Sequence, residues 1–138
     1  MFKNIFAKQK KVSPDNKNIL IAALLIHAAK IDENYTDIEK KIIKEALINL
    51  NNISSDQAEK LMKLAEKKEE ESNQMLEFTR EIKKYPMEFR LKIIEIIWKI
   101  VYADDISDNY ETNLMRRICG LLYISDKDNG IIRAKVKN

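Results

Sequence analysis

Two short acidic segments are the residues whose type and spacing could do chemistry: Asp32-Glu33-Asn34-Tyr35 and Asp104-Asp105. Each is followed by a further acid at the same distance, Glu39 and Glu111. Carboxylate oxygens are the ligands of hard cations, so such a set suits Ca²⁺, Mg²⁺ or Mn²⁺ rather than Zn²⁺. Asp32 and Asp104 are expected just after helix C-termini, where the macrodipole disfavours negative charge and a compensating cation is needed. The spacing is not that of an EF-hand, because neither Asp is followed by Gly at loop position six or Glu at position twelve. Asp32, Glu33 and Glu39 thus form one candidate ligand set, and Asp104, Asp105 and Glu111 a second. A metal-free reading stands beside this one. Glu39 and Glu111 would then complete helix caps, Asp37 would complement its helix N-terminus, and Lys30, Arg116 or Arg117 would neutralise the aspartates.

Catalysis has little to work with. The single histidine, His27, sits in an apolar run and reads as a hydrogen-bonded core residue. Cys119, the single cysteine, reads as an inert core thiol. Nucleophilic chemistry needs a Ser, Cys or Lys beside an orienting base, and no Gly-rich phosphate loop is present. A metal-dependent hydrolase using a carboxylate pair such as Asp104 and Glu111 is the remaining enzymatic alternative.

The elements that must carry these acids are helices. Of 138 residues, 45% are hydrophobic and 34% charged, and only two Gly and two Pro occur. That balance is one of a folded single domain with few turns, and the Lys, Glu, Leu, Ile and Ala that dominate favour helix. A first helix is predicted from about 16 to 30, apolar on every face and therefore buried. Thr36-x-x-Glu39 makes a capping box that opens a second helix, with Ile38, Ile42, Ile43, Ala46, Leu47 and Leu50 on one face. Ser54-x-x-Gln57 opens a third, and the charged stretch Lys67 to Glu71 reads as its solvated end. A fourth runs from about 72 to 84. Pro86 suits the first turn of a fifth that is again apolar nearly all round. Asp108-x-x-Glu111 is a third capping box, opening a sixth helix that stops near Tyr123, and Ser125-Asp126 caps a last short one.

Placing Asp32 on Asp104 aligns the two halves without a gap from helix to helix, up to Leu50 on Leu122. One extra residue later, Ile53-Ser54 falls on Ile124-Ser125. Each half therefore reads as buried helix, acidic loop, capped amphipathic helix and serine-capped helix. Two such units would pack about a pseudo-two-fold axis around two central buried helices. The fold class is all-α with about seven helices. Residues 1–15 read as a flexible basic tail, and 16–138 as one helical domain.

Charge and hydropathy narrow the partners. Five lysines face only Asp15 in residues 1–18, and three cations face no acid in residues 131–138, so a net charge of +3 hides an acidic body. A nucleic-acid-binding domain wants a concentrated basic face, so nucleic acid is excluded as a partner. The longest apolar run, Ile19 to Ala29, is shorter than the roughly 20 residues that span a bilayer. One cysteine and no visible secretory signal point to the cytoplasm. Phe2, Ile5 and Phe6 beside four lysines are the feature that would lie on an anionic membrane or a protein partner.

The pattern resembles the tellurite-resistance TerB family, in its short free-standing bacterial form. The resemblance rests on Ala23-Leu24-Leu25-Ile26-His27-Ala28-Ala29, Asp32 with Glu39, Phe78-Thr79-Arg80, Trp98, Tyr102-Ala103-Asp104-Asp105, Glu111, Arg117, Leu121-Leu122 and Ser125-x-Lys127-Asp128. It spans roughly residues 19–134. The family carries Gly after the second-half Asp, where this chain has Asp105. The resemblance implies an all-helical, non-catalytic module with acidic residues of both halves holding divalent cations. It also implies a stress or tellurite-resistance setting near the inner membrane, to which the leading reading adds a protein partner and a cytoplasmic location that includes the membrane periphery. The competing expectation is an interaction module whose acidic loops meet a basic partner without metal.

Overall fold

The computed structural model describes residues 16–31, 35–72, 75–103 and 109–137, and the side chains of 109–112 are not part of that description. Seven helices are present and no strand among the described residues: α1 (Asn16–Ala29), α2 (Asp37–Asn51), α3 (Ser55–Glu71), α4 (Met75–Ile82), α5 (Met87–Tyr102), α6 (Asn109–Leu121) and α7 (Asp126–Lys137). The chain is all-α, as its composition and periodicity predict. The N-terminal tail, Asp32, Glu33, Asp104, Asp105 and the Asp108 cap lie outside the described residues.

Burial around the full circumference puts α1 at the centre. Every residue from Leu20 to Ile26 is buried, as are Ala28 and Ala29. The helix touches α2, α3, α4 and α5. Its alanines allow those neighbours to approach closely, and its Leu and Ile side chains each stabilise the fold by about 1.5–3 kcal/mol through burial. α5 is the second central helix, with Ile93, Ile94, Ile97, Trp98, Ile100 and Val101 buried. It touches α1, α2, α6 and α7.

The two sequence units have matching neighbours. In the first, α1, α2 and α3 touch one another pairwise, and in the second α5, α6 and α7 do the same. Their ends match as well. Asn52 closes α2 with φ 52°, and Tyr123 follows α6 with φ 58°, both in the left-handed region. Each is followed by a backbone N–H that reaches back over the helix end, Ile53 to Ile48 O and Ile124 to Cys119 O. That pattern satisfies carbonyls which a helix end leaves open.

The caps form where the sequence places them. Thr36 and Glu39 make a reciprocal capping box on α2, and Ser54 and Gln57 another on α3. Asp128 N donates to Ser125 Oγ at the start of α7. Two local differences follow from the chain's chemistry. Pro86 stands at the N-cap of α5 rather than inside its first turn, with an extended ψ of 152°. The charged run Lys67–Glu71 is not a wholly solvated end, because α3 continues through it and buries Glu69.

Candidate functional site

Of the six acids singled out, Glu39 is the one whose side chain is described, and Glu111 falls within α6. Glu39 is 2% exposed. Its Oε1 accepts from Thr36 N at 2.8 Å and from Thr36 Oγ1 at 3.0 Å, while its own N–H donates to Thr36 Oγ1 at 3.1 Å. The carboxylate therefore serves as a cap, one of the two roles its spacing allows.

Both flanks of the first acidic segment are tied to α3. Ahead of it, Lys30 Nζ donates to Glu69 Oε1 at 2.7 Å, and His27 Nδ1 lies 3.2 Å from Glu69 Oε2. Behind it, the Tyr35 hydroxyl donates to Glu66 Oε2 at 3.0 Å. Glu66 and Glu69 are three residues apart, so they lie on one face of α3, a turn from each other. One helix turn thus holds both residues 30 and 35. The Lys30 ammonium pairs with Glu69; Asp32, the acid that the metal-free reading gives it, lies outside the described residues.

Negative charge gathers around the Tyr35 hydroxyl. Burial, the hydrogen bond to Glu66 and the fields of Glu66, Glu39 and Glu69 all push its pKa well above the ordinary phenol value. Those three carboxylates come from two helices, and the Lys40 ammonium sits 4.8 Å from the centre of the Tyr35 ring. Among the described residues no group of three His, Cys, Asp or Glu side chains is disposed to hold a metal ion.

The segment ahead of the second acidic loop is built from different parts. Tyr102 stacks on Trp98 at 5.5 Å, and Arg133 of α7 lies over the Trp98 ring while its Nε donates to the Tyr102 hydroxyl. Trp98 Nε1 donates to Asn129 Oδ1 at 2.8 Å. Lys135 pairs with Glu95 at 2.7 Å, and that hydrogen bond is the main reason the Glu95 pKa lies below the ordinary carboxylate value. The last turns of α5 are thereby held by α7, as the end of α1 is held by α3.

All of this framework but the first residues of α1 and the last of α7 falls inside one family match. The family model for tellurite resistance protein TerB matches residues 18–134. The chain belongs to the TerB family. Comparison with curated proteins and with solved structures returned no match.

The TerB frame also locates what the sequence conceals. Glu69 continues the buried face of α3, four residues after Ala65, but stands inside Lys67–Glu71, where composition reads as solvent. The spacing Ala58, Leu61, Met62, Ala65, Glu69 is the signal that finds it. His27 is hydrogen-bonded as expected but half-buried at the edge of the core, with Phe78 as a ring neighbour at 6.0 Å. Cys119 is buried, and its thiol is pushed up to about 12, first by burial and then by the Asp126 carboxylate. Trp98 and Phe78 are core residues.

Proposed function

We propose that the chain is a non-catalytic TerB module that binds a divalent hard cation through its acidic loops and engages a protein partner in bacterial stress or tellurite resistance. The ligand sets are Asp32, Glu33 and Glu39 in the first unit and Asp104, Asp105 and Glu111 in the second. The observation that carries the reading is the concentration of carboxylates at Tyr35. Glu39, Glu66 and Glu69 add their fields to a segment that already bears Asp32 and Glu33. A region of that charge favours a cation, and oxygen donors favour Ca²⁺, Mg²⁺ or Mn²⁺. Glu39 would contribute through a carboxylate whose other role is the cap. The cytoplasm, including the face of the inner membrane, is the proposed location.

Thermal unfolding with each cation tests this. A cation at 100 times its dissociation constant adds about 2.7 kcal/mol if the unfolded chain binds none, a rise in midpoint of about 6–12 °C at this chain length. Asp104→Asn with Glu111→Gln removes the second unit's share while leaving a Gln able to cap. If millimolar Ca²⁺, Mg²⁺ and Mn²⁺ all leave the wild-type midpoint in place, cation binding is refuted. The acidic surface then serves a basic protein partner, a reading that the commitment of Glu39 Oε1 to Thr36 favours.

A further inference from the structure

α2 carries two adjacent ridges of side chains at i, i+4 spacing. Glu39, Ile43 and Leu47 are buried against the core. Ile38, Ile42, Ala46 and Leu50 form the next ridge, apolar throughout but only partly covered, with Ile42, Ala46 and Leu50 half-buried. Ile38 is 62% exposed. Ile42, Ala46 and Leu50 line, with Ile96 of α5, an open groove of about 540 Å³ whose rim includes Lys92 and Lys99.

The second unit shows how such a ridge is covered. Shifted by the 72 residues that relate Asp32 to Asp104, Ile42, Ala46 and Leu50 fall on Leu114, Ile118 and Leu122, all buried. By the same shift Lys92, Ile96 and Lys99 correspond to Leu20, Leu24 and His27 of α1. α4 packs on both α1 and α6, and its Phe78 ring meets His27. By the sequence repeat, the groove between α2 and α5, two helices that also touch directly, corresponds to the place α4 fills beside α1 and α6.

The sequence supplies an equivalent of α4 too. α4 leads into α5 through Pro86, and at the same shift Pro14 precedes α1. Ahead of it, Phe2, Ile5 and Phe6 repeat the i, i+3, i+4 spacing of Met75, Phe78 and Thr79, the buried face of α4. The distance to the following proline differs by a single residue. The fourth position of the same register, the counterpart of Ile82, is Gln9, so the apolar anchor is one turn shorter than that of α4.

We propose that residues 2–12 seat in the groove between α2 and α5 of their own chain, with Ile5 and Phe6 on Ile42, Ala46, Leu50 and Ile96. Lysines 3, 8, 10 and 11 then remain at the rim and in solvent. This seat is an alternative to the flexible tail expected from the sequence. It rests on the repeat and the groove, independently of any cation.

The test uses the full chain carrying Ile5→Asp and Phe6→Asp, with methyl NMR as the readout. The Ile42, Leu50 and Ile96 methyl resonances should shift, and those of Ile21 and Leu25 in the core should not. Ala46→Arg, which fills the groove from a half-buried helical position, should move the same three residues while circular dichroism stays unchanged. Groove methyls that ignore the Ile5 and Phe6 substitutions overturn the proposal. If the wild type then co-sediments with anionic phosphatidylglycerol vesicles and the double variant does not, a membrane is the occupant's true partner. If light scattering finds a wild-type dimer that the double variant dissolves, the segment sits in a neighbouring copy, and the same-chain seat is equally refuted.

Discussion

Truncating Glu69 to Ala should cost far more than truncating its neighbour Glu70, although both stand in the same charged run. The Glu69 side chain is 5% exposed and takes Lys30 on one oxygen and His27 on the other. A hydrogen bond to a charged group contributes about 1.5–3 kcal/mol. Lys30 is 35% exposed and can return to water once released, so its share is discounted. The His27 contact is longer and leaves a 17% exposed ring. Together with the small void left behind, the expected loss is about 2–3 kcal/mol, which corresponds to roughly 7–10 °C in thermal midpoint for a chain of this length. Glu70 is exposed, and its truncation should stay within about 0.5 kcal/mol. Glu69→Gln keeps an acceptor for Lys30 and offers an amide to His27, so it should lose less than about 1 kcal/mol. Midpoints from calorimetry, with denaturant titration as a second measure, would decide. Equal midpoints for Glu69→Ala and Glu70→Ala would mean that the carboxylate does not hold α3 to α1.

Tyr123 occupies a left-handed position at φ 58°, which costs a residue with a Cβ about 1–2 kcal/mol. Replacing it with Asn, the residue at the matching position 52, should raise the midpoint by a few degrees, and an unchanged or lower midpoint would show that the Lys83 contact over its ring outweighs the strain. The Cys119 thiol is raised from about 9 to about 12, so the folded state disfavours the thiolate. Its contribution to stability is complete below the unfolded value near 9 and is lost as pH rises from there toward 12. Alkylation by iodoacetamide should accordingly be slow in the native chain and accelerate with denaturant; a native rate equal to that of a free thiol would contradict the burial.

Much of the frame is legible in the residues because each signal has a local cause. Thr36 with Glu39 and Ser54 with Gln57 state their caps within four positions, and the unbroken apolar run from Ile19 announces a helix surrounded on all sides. Asn52 and Tyr123 are harder, since only Asn is favoured in the left-handed region and Tyr gives no such sign. Glu69 was hidden for a different reason: average composition over five residues erases the phase of a single buried position. The pairing of Lys30 with Glu69 and of Tyr35 with Glu66 joins residues 39 and 31 positions apart, and no short-range pattern encodes a contact of that reach. Glu39 shows the limit of motif reading, because a capping box and a ligand set demand the same acid at the same place. The groove on α2 was legible only in part. Ile38, Ile42, Ala46 and Leu50 announce an apolar face, but a face wide enough for two ridges looks like one until only the inner ridge is seen to be fully buried.

The last helix has no fully buried residue of its own, and the contact between Trp98, Asn129 and Arg133 is a principal hold on it. Trp98 is also the sole tryptophan in the chain. Its indole emission therefore reports the seating of the C-terminal segment together with the core around α5. Release of that segment would hydrate the indole and redden its fluorescence while six helices still absorb as before. An unfolding curve followed by tryptophan light can thus run ahead of one followed by ellipticity, and the gap between them measures how independently the chain's end lets go.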